Sequence, residues 1–520
     1  MSTSLVSSTS KEVTAEVLPL APTDQEKTAY IERRSVVLVF FSLVSFVCLM
    51  ISQVTFSLQA VVLWVYMPLI TFTILYYVIS VSVSFGTKNF DLTAHYRTCW
   101  EWTKRRKFPS VDVFLPFVGE SAAVLQNTWQ HVRNMVDAYP GLMTVYCLDD
   151  KGRAETTQMA LDFGFTYLSR PNKGETKKAG NLKFGFENSR GEFVMVFDAD
   201  FCPRPDMPEH MLPYFANPNV GIVQTPQYFR VRSVQTWLER AAGAVQELFY
   251  RTIQTSRNQH DGAICVGTNA IYRRRALEEN GGPTQIGHSE DVHTGFDLKR
   301  FGWMLVYLPI NLAMGTCPNQ LAAFLTQQYR WCMGSMSLLT SRKFWQTKLR
   351  LRSRLCFLSG FFYYIHTAVF TFVMPTIPLV LLIVLPELVL WQNYLFILPS
   401  LFYTLVVFPM WHRQSYGLGA FAAKMIYGWA HTFAIIDALR GKPMGWVATG
   451  NAGAKTSLLA PFKVGLVIWG GGTTAAWLGL VIWRMSTHNV LDFLPMLVSG
   501  LLYGAVVAQC LMPNKARVRV

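Results

Sequence analysis

Two apolar stretches, residues 35–56 and 60–84, stand almost back to back near the start of the chain. Each is long enough to cross a bilayer whose hydrocarbon layer is about 30 Å thick. Together they predict a transmembrane hairpin rather than a cleaved leader, because the first core already has spanning length and a second follows at once. From about residue 86 to 354 the hydropathy collapses, and short apolar runs separated by helical patterns predict a soluble α/β domain. Four more apolar runs, near 361–385, 390–411, 464–483 and 490–512, bring the expectation to about six spans. The predicted organisation is a polar tail (1–34), a hairpin (35–85), a soluble domain (86–316), amphipathic interface helices (317–354), a span pair (355–412), an interface helix with a loop (413–460), a second span pair (461–512) and a short tail (513–520).

Within the soluble domain, Val111 to Phe117 and Leu142 to Leu148 read as buried strands with a helix from Ala122 to Ala138 between them. The second strand runs straight into Asp149-Asp150, and in open α/β sheets the carboxyl ends of strands are where ligands bind. An Asp-Asp-Lys-Gly sequence is equally a turn, and the residues alone leave both readings open. A further run, Glu192 to Phe197, ends in Asp198-Ala199-Asp200. Two carboxylates one residue apart at a strand end can hold a divalent cation from one side and leave the other open to phosphate oxygens.

Composition adds that the chain is 51% hydrophobic with a mean hydropathy of +0.23, too apolar for an ordinary soluble enzyme. The net charge of +15 concentrates at span borders: Arg33-Arg34, Lys104 to Lys107, the Arg342 to Arg354 cluster and the last residues. That distribution predicts a soluble domain and both termini on the cytoplasmic face of the plasma membrane, and it argues against nucleic acid as a partner. Nine cysteines without a CxxC pair suggest neither a disulfide framework nor a zinc site.

The remaining candidate chemistry lies in three places. Lys177-Lys178-Ala179-Gly180-Asn181 offers a cation for phosphate beside a glycine that permits close backbone approach. Ser289-Glu290-Asp291 opens a helical pattern, where the acids and the serine are either helix caps or reactive groups. Nearby His288 and His293 fit no standard zinc spacing. Finally, Gln327, Arg330 and Trp331 share one stripe of a helix at the membrane border, where tryptophan and arginine also serve as plain anchors.

Taken in order, these motifs resemble the processive family 2 glycosyltransferases, the membrane-embedded group that includes cellulose, curdlan, chitin and hyaluronan synthases. The resemblance runs from about Val111 to Lys455, and bacterial cellulose synthases are the nearest by the segment Val223-Gln224-Thr225-Pro226. It implies a GT-A (Rossmann-like) α/β domain inserted between transmembrane helices. By the same resemblance, Glu120, Asp149, Asp150, Lys178, Asp198, Gln327 and Arg330 contact the nucleotide-sugar, and Asp198 and Asp200 hold a divalent cation, Mg2+ or Mn2+. Asp291 is the implied general base with Glu290 shaping the site, Trp331 stacks on the acceptor sugar, and Trp446, Val447 and Thr449 lie on a mobile gating loop.

The implied activity is inverting, processive transfer from a UDP-sugar to a growing polysaccharide, with UDP-glucose and a β-glucan expected and export through the chain's own membrane channel. A single-sugar transferase acting on a lipid carrier, a hyaluronan- or chitin-type synthase using UDP-N-acetylglucosamine, and a transporter with a vestigial domain are the competing readings. Membrane lipids are expected partners; self-association and accessory export subunits are left open. Tyr363, Tyr364, Phe370 and Trp411, with the polar His366 and Thr367, are candidates to line a polymer path. Three departures from the family pattern stand out: Ser289 replaces a usual threonine, Lys151 a usual glycine, and Pro116 to Glu120 lacks a common Tyr-Asn. The eight residues 513–520 after the last span leave no room for a cyclic-dinucleotide sensing domain, so direct control by such a nucleotide is not expected.

Overall fold

The computed structural model describes residues 18–31, 35–84, 87–104, 107–232, 235–412, 417–441 and 458–514. At its centre is a mixed seven-stranded sheet of β1 (Val111–Phe117), β2 (Met143–Asp149), β3 (Thr166–Leu168), β4 (Phe193–Val196), β5 (Val220–Gln224), β6 (Ala270–Arg273) and β7 (Met304–Tyr307), in the order β3-β2-β1-β4-β6-β5-β7. The β1–β2, β2–β3, β1–β4 and β5–β7 pairs are parallel, whereas β6 runs antiparallel to both β4 and β5. Every residue of β1 and of β4 is buried, as expected where helices cover both faces of a parallel sheet. Pro116 cannot donate to a ladder, and it falls beyond Phe114, the last β1 residue paired with β4.

The chain order explains where a ligand can sit. From β1 the chain moves outward through β2 to β3, then returns to the other side of β1 as β4, so the crevice beyond the carboxyl ends of β1 and β4 is a topological switch point. Glu120 follows β1, Asp149-Asp150 closes β2 and Asp198-Ala199-Asp200 follows β4, which brings three acidic segments to one edge. At the other edge, Asp112 near the start of β1 is buried but matched: Arg274 Nη2 lies 2.9 Å away and the Gly191 N–H 2.5 Å away. A mixed α/β sheet domain between membrane-length helices is the architecture expected from the sequence.

Among the described residues, six helices are long and apolar enough to cross a membrane: Val36–Ser57, Val61–Ser84, Leu351–Val384, Trp391–His412, Leu459–Thr487 and Val490–Leu511. They fall on the six apolar runs of the sequence. The helix Leu418–Arg440 lies among them with one buried face, Ala422, Ala423, Ile426 and Ala430, and packs against the helix Leu321–Leu339. This second helix carries Gln327, Arg330 and Trp331.

The segment before the first span is strapped to the sheet domain. Thr23 and Glu26 form a capping box on the short helix Asp24–Lys27. Glu26 also pairs with Arg230, Lys27 Nζ lies 2.7 Å from Asp206, and Arg204 Nη2 lies 2.7 Å from Asp24. Backbone bonds continue the strap: Asn311 N donates to Lys27 O at 2.9 Å, and Asn127 Nδ2 to Pro19 O at 2.8 Å.

Candidate active site

The turn after β2 is built first, because it consumes its own acid. Asp149 is fully buried, and its carboxylate accepts from Lys151 N (2.8 Å), Arg153 N (2.9 Å), Thr156 Oγ1 (2.7 Å) and Tyr167 OH (2.9 Å). Burial by itself would raise its pKa, but these hydrogen bonds outweigh burial and hold it below the usual carboxylate value. Asp149 is therefore the lock of the turn. Asp150 accepts a two-pronged bond from Arg170, Nε at 2.6 Å and Nη2 at 2.9 Å, and Arg170 goes on to the carbonyls of Glu175 and Lys177. The guanidinium explains Gly180, where a Cβ would lie 2.1 Å from Arg170 Nη1. In this way Asp150 sets the loop that carries Lys177 and Lys178 into the helix Lys178–Glu187.

Lys178 is the hub of the site. Its Nζ lies 2.5 Å from Asp198 Oδ1, 2.9 Å from the Gly267 carbonyl and 3.7 Å from Glu290 Oε1. Burial works against its charge, but the Asp198 and Glu290 carboxylates more than offset it and raise its pKa. Asp200 faces the opposite balance: burial and the nearby Asp198 push it up to about 7, although the Thr316 hydroxyl donates to it at 3.0 Å. Glu120 accepts the backbone N–H groups of Val118 (2.7 Å) and Gly119 (2.9 Å), and it adds to the negative potential on Asp200.

Asp291 stands in the first turn of the helix Glu290–Arg300. Burial and the adjoining Glu290 push its carboxyl up to about 7, with Lys178 and the Val292 N–H pulling the other way. That places its ionisation where a general base works best. It packs on Gly267, whose φ of +76° admits no ordinary side chain and where a Cβ would come within 2.8 Å of the carboxylate.

Ser289 departs from the capping alternative. It adopts a left-handed conformation with φ 46°, makes no side-chain cap, and donates its hydroxyl to the Arg330 carbonyl at 3.0 Å. The bond ties the Ser-Glu-Asp turn to the Gln327-Arg330-Trp331 helix, and Gly334 makes room for it, since a Cβ there would lie 2.2 Å from Ser289 Oγ. Burial lowers the pKa of Arg330 while Glu290, Asp198 and Asp291 pull it back up, so its guanidinium belongs to the same electrostatic cluster. Burial and Arg330 both lower Lys177. Gln327 Oε1 is a buried acceptor without a partner among the described residues, and Trp331 is half-buried. His288 and His293 share the Ser337 hydroxyl at 3.2 and 2.9 Å, a hydrogen-bonding role.

Asp198, Asp200, Lys178, Glu290, Asp291 and Arg330 are thus brought into one site, while Asp149 and Asp150 brace it from the adjacent turn. Trp446, Val447 and Thr449 lie outside the described residues. Of the proposed path residues, Thr367 Oγ1 meets His431 Nδ1 at 2.6 Å, with Tyr363 and Tyr364 edge-on to the same imidazole. His366 stacks on Tyr76 and on Phe370, Phe370 is 41% exposed, and Trp411 lies under the Arg251 guanidinium at 4.3 Å.

Residues 193–410 match the family described as Glycosyl transferase family group 2. That segment is similar to family 2 glycosyltransferases. The chain is 31% identical over 274 residues to the UDP-forming cellulose synthase 1 catalytic subunit of Komagataeibacter xylinus, covering 51% of this chain and 36% of that protein. It is 29% identical over 267 residues to the UDP-forming cellulose synthase catalytic subunit of Xanthomonas axonopodis pv. citri, covering 50% of this chain and 36% of that one. The matched region therefore spans about a third of the length of these curated relatives. Among solved structures, the mannosyltransferase of Pyrobaculum calidifontis in complex with GDP-Man and Mn2+ is similar at 15% identity and a TM-score of 0.48, covering 72% of this chain and 98% of that one.

Proposed function

We propose that this transferase polymerises a β-glucan from UDP-glucose, processively and with inversion, and passes the product through its own membrane bundle. The observation that carries the reading is the Ser289 to Arg330 bond, which fixes the base-bearing turn and the membrane-border helix as one unit around Lys178 and Asp198. A transferase that adds one sugar and releases it has no need to couple those two elements.

The donor set fits a hard divalent cation: two carboxylates one residue apart, of which Asp200 is pushed up to about 7 where positive charge is lacking. When bound, Mg2+ or Mn2+ on Asp198 and Asp200 supplies charge neutralisation for the departing diphosphate. Lys178 and Arg330 place fixed positive charge beside that leaving group, and Gln327 offers its unmatched carbonyl to the donor. Asp291 accepts the proton of the acceptor hydroxyl as that oxygen bonds to the anomeric carbon and the bond to diphosphate breaks on the opposite face. Trp331 provides the stacking surface for the terminal sugar. The relatives' names, cellulose synthase and UDP-forming, support the sugar and the nucleotide. The proposed setting is the plasma membrane, with the sheet domain and both termini on the cytoplasmic face where the donor is found.

Membranes containing the chain, supplied with one labelled UDP-sugar at a time, test this. UDP-glucose alone is expected to give a long product degraded by β-glucanases. Label confined to a lipid extract overturns processive synthesis, and polymer from UDP-N-acetylglucosamine alone overturns the choice of donor.

A further inference from the structure

Away from the sugar site, the first helix after the membrane hairpin, Leu92–Thr103, lies on the sheet domain against the short helix Met207–Met211. His95 and Cys99 are four residues apart on one face of the first helix, and His210 projects from the second. Their ligand atoms all lie within 4.8 Å of one another. His95 Nε2 and His210 Nδ1 are 2.9 Å apart, and Cys99 Sγ is 3.6 Å from the first and 3.8 Å from the second. A tetrahedral zinc ion with bonds of about 2.3 Å to sulfur and about 2.0 Å to nitrogen needs edges of roughly 3.5 Å between sulfur and nitrogen and roughly 3.3 Å between nitrogens. A shift of a few tenths of an ångström in one ring would open the triangle to those lengths.

The outer ring atoms decide how this cluster is read. His210 Nε2 faces Asp206 Oδ2 at 3.5 Å, and His95 Nδ1 faces the Tyr214 hydroxyl at 2.8 Å. Each imidazole therefore has a partner on the nitrogen that points away from Cys99, which is the support that metal-bound histidines receive from the surrounding shell. Both histidines are buried and Cys99 is half-buried, so a cation can still enter past the thiol.

We propose that His95 Nε2, Cys99 Sγ and His210 Nδ1 form a site for a zinc-class cation, with water in the fourth position and with Asp206 and Tyr214 orienting the rings. On binding, the Cys99 thiol gives up its proton to solvent and the thiolate bonds to the ion. The ion pins the membrane-proximal helix to the segment that follows Asp198-Ala199-Asp200, where Asp206 also holds Lys27 and Arg204. The competing reading is a hydrogen-bonded row from Tyr214 through both histidines to Asp206, with Cys99 a bystander.

Cobalt distinguishes them. The full chain, purified in detergent and stripped with a chelator, is titrated with Co2+ and then Zn2+. The site predicts a thiolate-to-cobalt charge-transfer band saturating at one ion per chain, displaced by Zn2+ but not by excess Mg2+, which separates it from the Asp198–Asp200 carboxylates. Cys99→Ser should abolish the band, and Tyr214→Phe should weaken Co2+ binding about 10- to 100-fold. Absence of the band in the unaltered chain, or its survival in Cys99→Ser, overturns the proposal. If Cys99→Ser does not fold, alkylation of Cys99 in the unaltered chain decides: stoichiometric Zn2+ should protect it, and equal rates with and without Zn2+ overturn the site.

Discussion

The two edges of the central sheet treat buried charge in opposite ways. At the amino edge Asp112 is matched by Arg274, by the Gly191 N–H and, through Arg274, by the Ser189 hydroxyl at 2.7 Å. At the carboxyl edge Asp200 and Asp291 are half-buried among other acids, and both are pushed up to about 7. The first arrangement holds a strand in place and leaves no charge for chemistry. Under the proposed function a donor, a cation and an acceptor complete the second, and its cost is borne by the well-matched parts of the fold.

The sharpest way to test that contrast is at Asp291. Asp291→Asn keeps the shape and removes the proposed base, so transfer should fall about a hundredfold to ten-thousandfold while UDP binding changes little. In the unaltered protein, transfer should rise with pH as Asp291 loses its proton near pH 7, and the residual activity of Asp291→Asn should lack that rise. Near-normal polymer yield from the variant would return Asp291 to the status of a helix cap.

Next in size is the matched edge. Arg274→Met strands the Asp112 carboxylate in the interior and should cost about 3–5 kcal/mol of stability in denaturant unfolding, the usual penalty for breaking one side of a buried pair. Specific activity of the protein that still folds should be close to normal, and a loss of rate without a loss of stability would contradict the division between edges. Smaller still is Gly334→Ala, whose methyl group would press on Ser289 at the join between the two functional elements. An overpacking cost of about 1–3 kcal/mol is expected. It should appear as a lower transfer rate with UDP binding retained, and unchanged kinetics would mean that the Ser289–Arg330 contact is dispensable.

Much of this was readable before any coordinates, for a physical reason. Membrane spans and the strands of a parallel sheet are uninterrupted apolar runs, so the six spans and β1, β2 and β4 stand out, and acids placed directly after such strands announce the ligand edge. The roles of individual acids were less legible. Asp149 looks like a ligand group in sequence, yet four local and near-local donors occupy it. Ser289 looks like a cap, but its partner is 41 residues away in the chain and its backbone is left-handed. The His95–Cys99–His210 cluster carries no paired-cysteine signature, and its third member lies 111 residues from the second in the chain. An H-x3-C spacing on an amphipathic helix was the available signal. The short strands β6 and β7 have four residues each and pair across long connections, so no local pattern marks them.

The strap of residues 18–31 fixes something that charge counting only suggests. Because Glu26, Lys27 and Asp24 are bonded to Arg230, Asp206 and Arg204, the stretch ahead of the first span and the sheet domain after the second must occupy the same compartment. Two crossings separate them, an even number, so the hairpin closes a geometric loop whose ends are tied together. Moving positive charges around the first span cannot invert that span alone without tearing the strap. The topology of the amino-terminal hairpin is thus secured by folding outside the bilayer as well as by the distribution of lysine and arginine beside it.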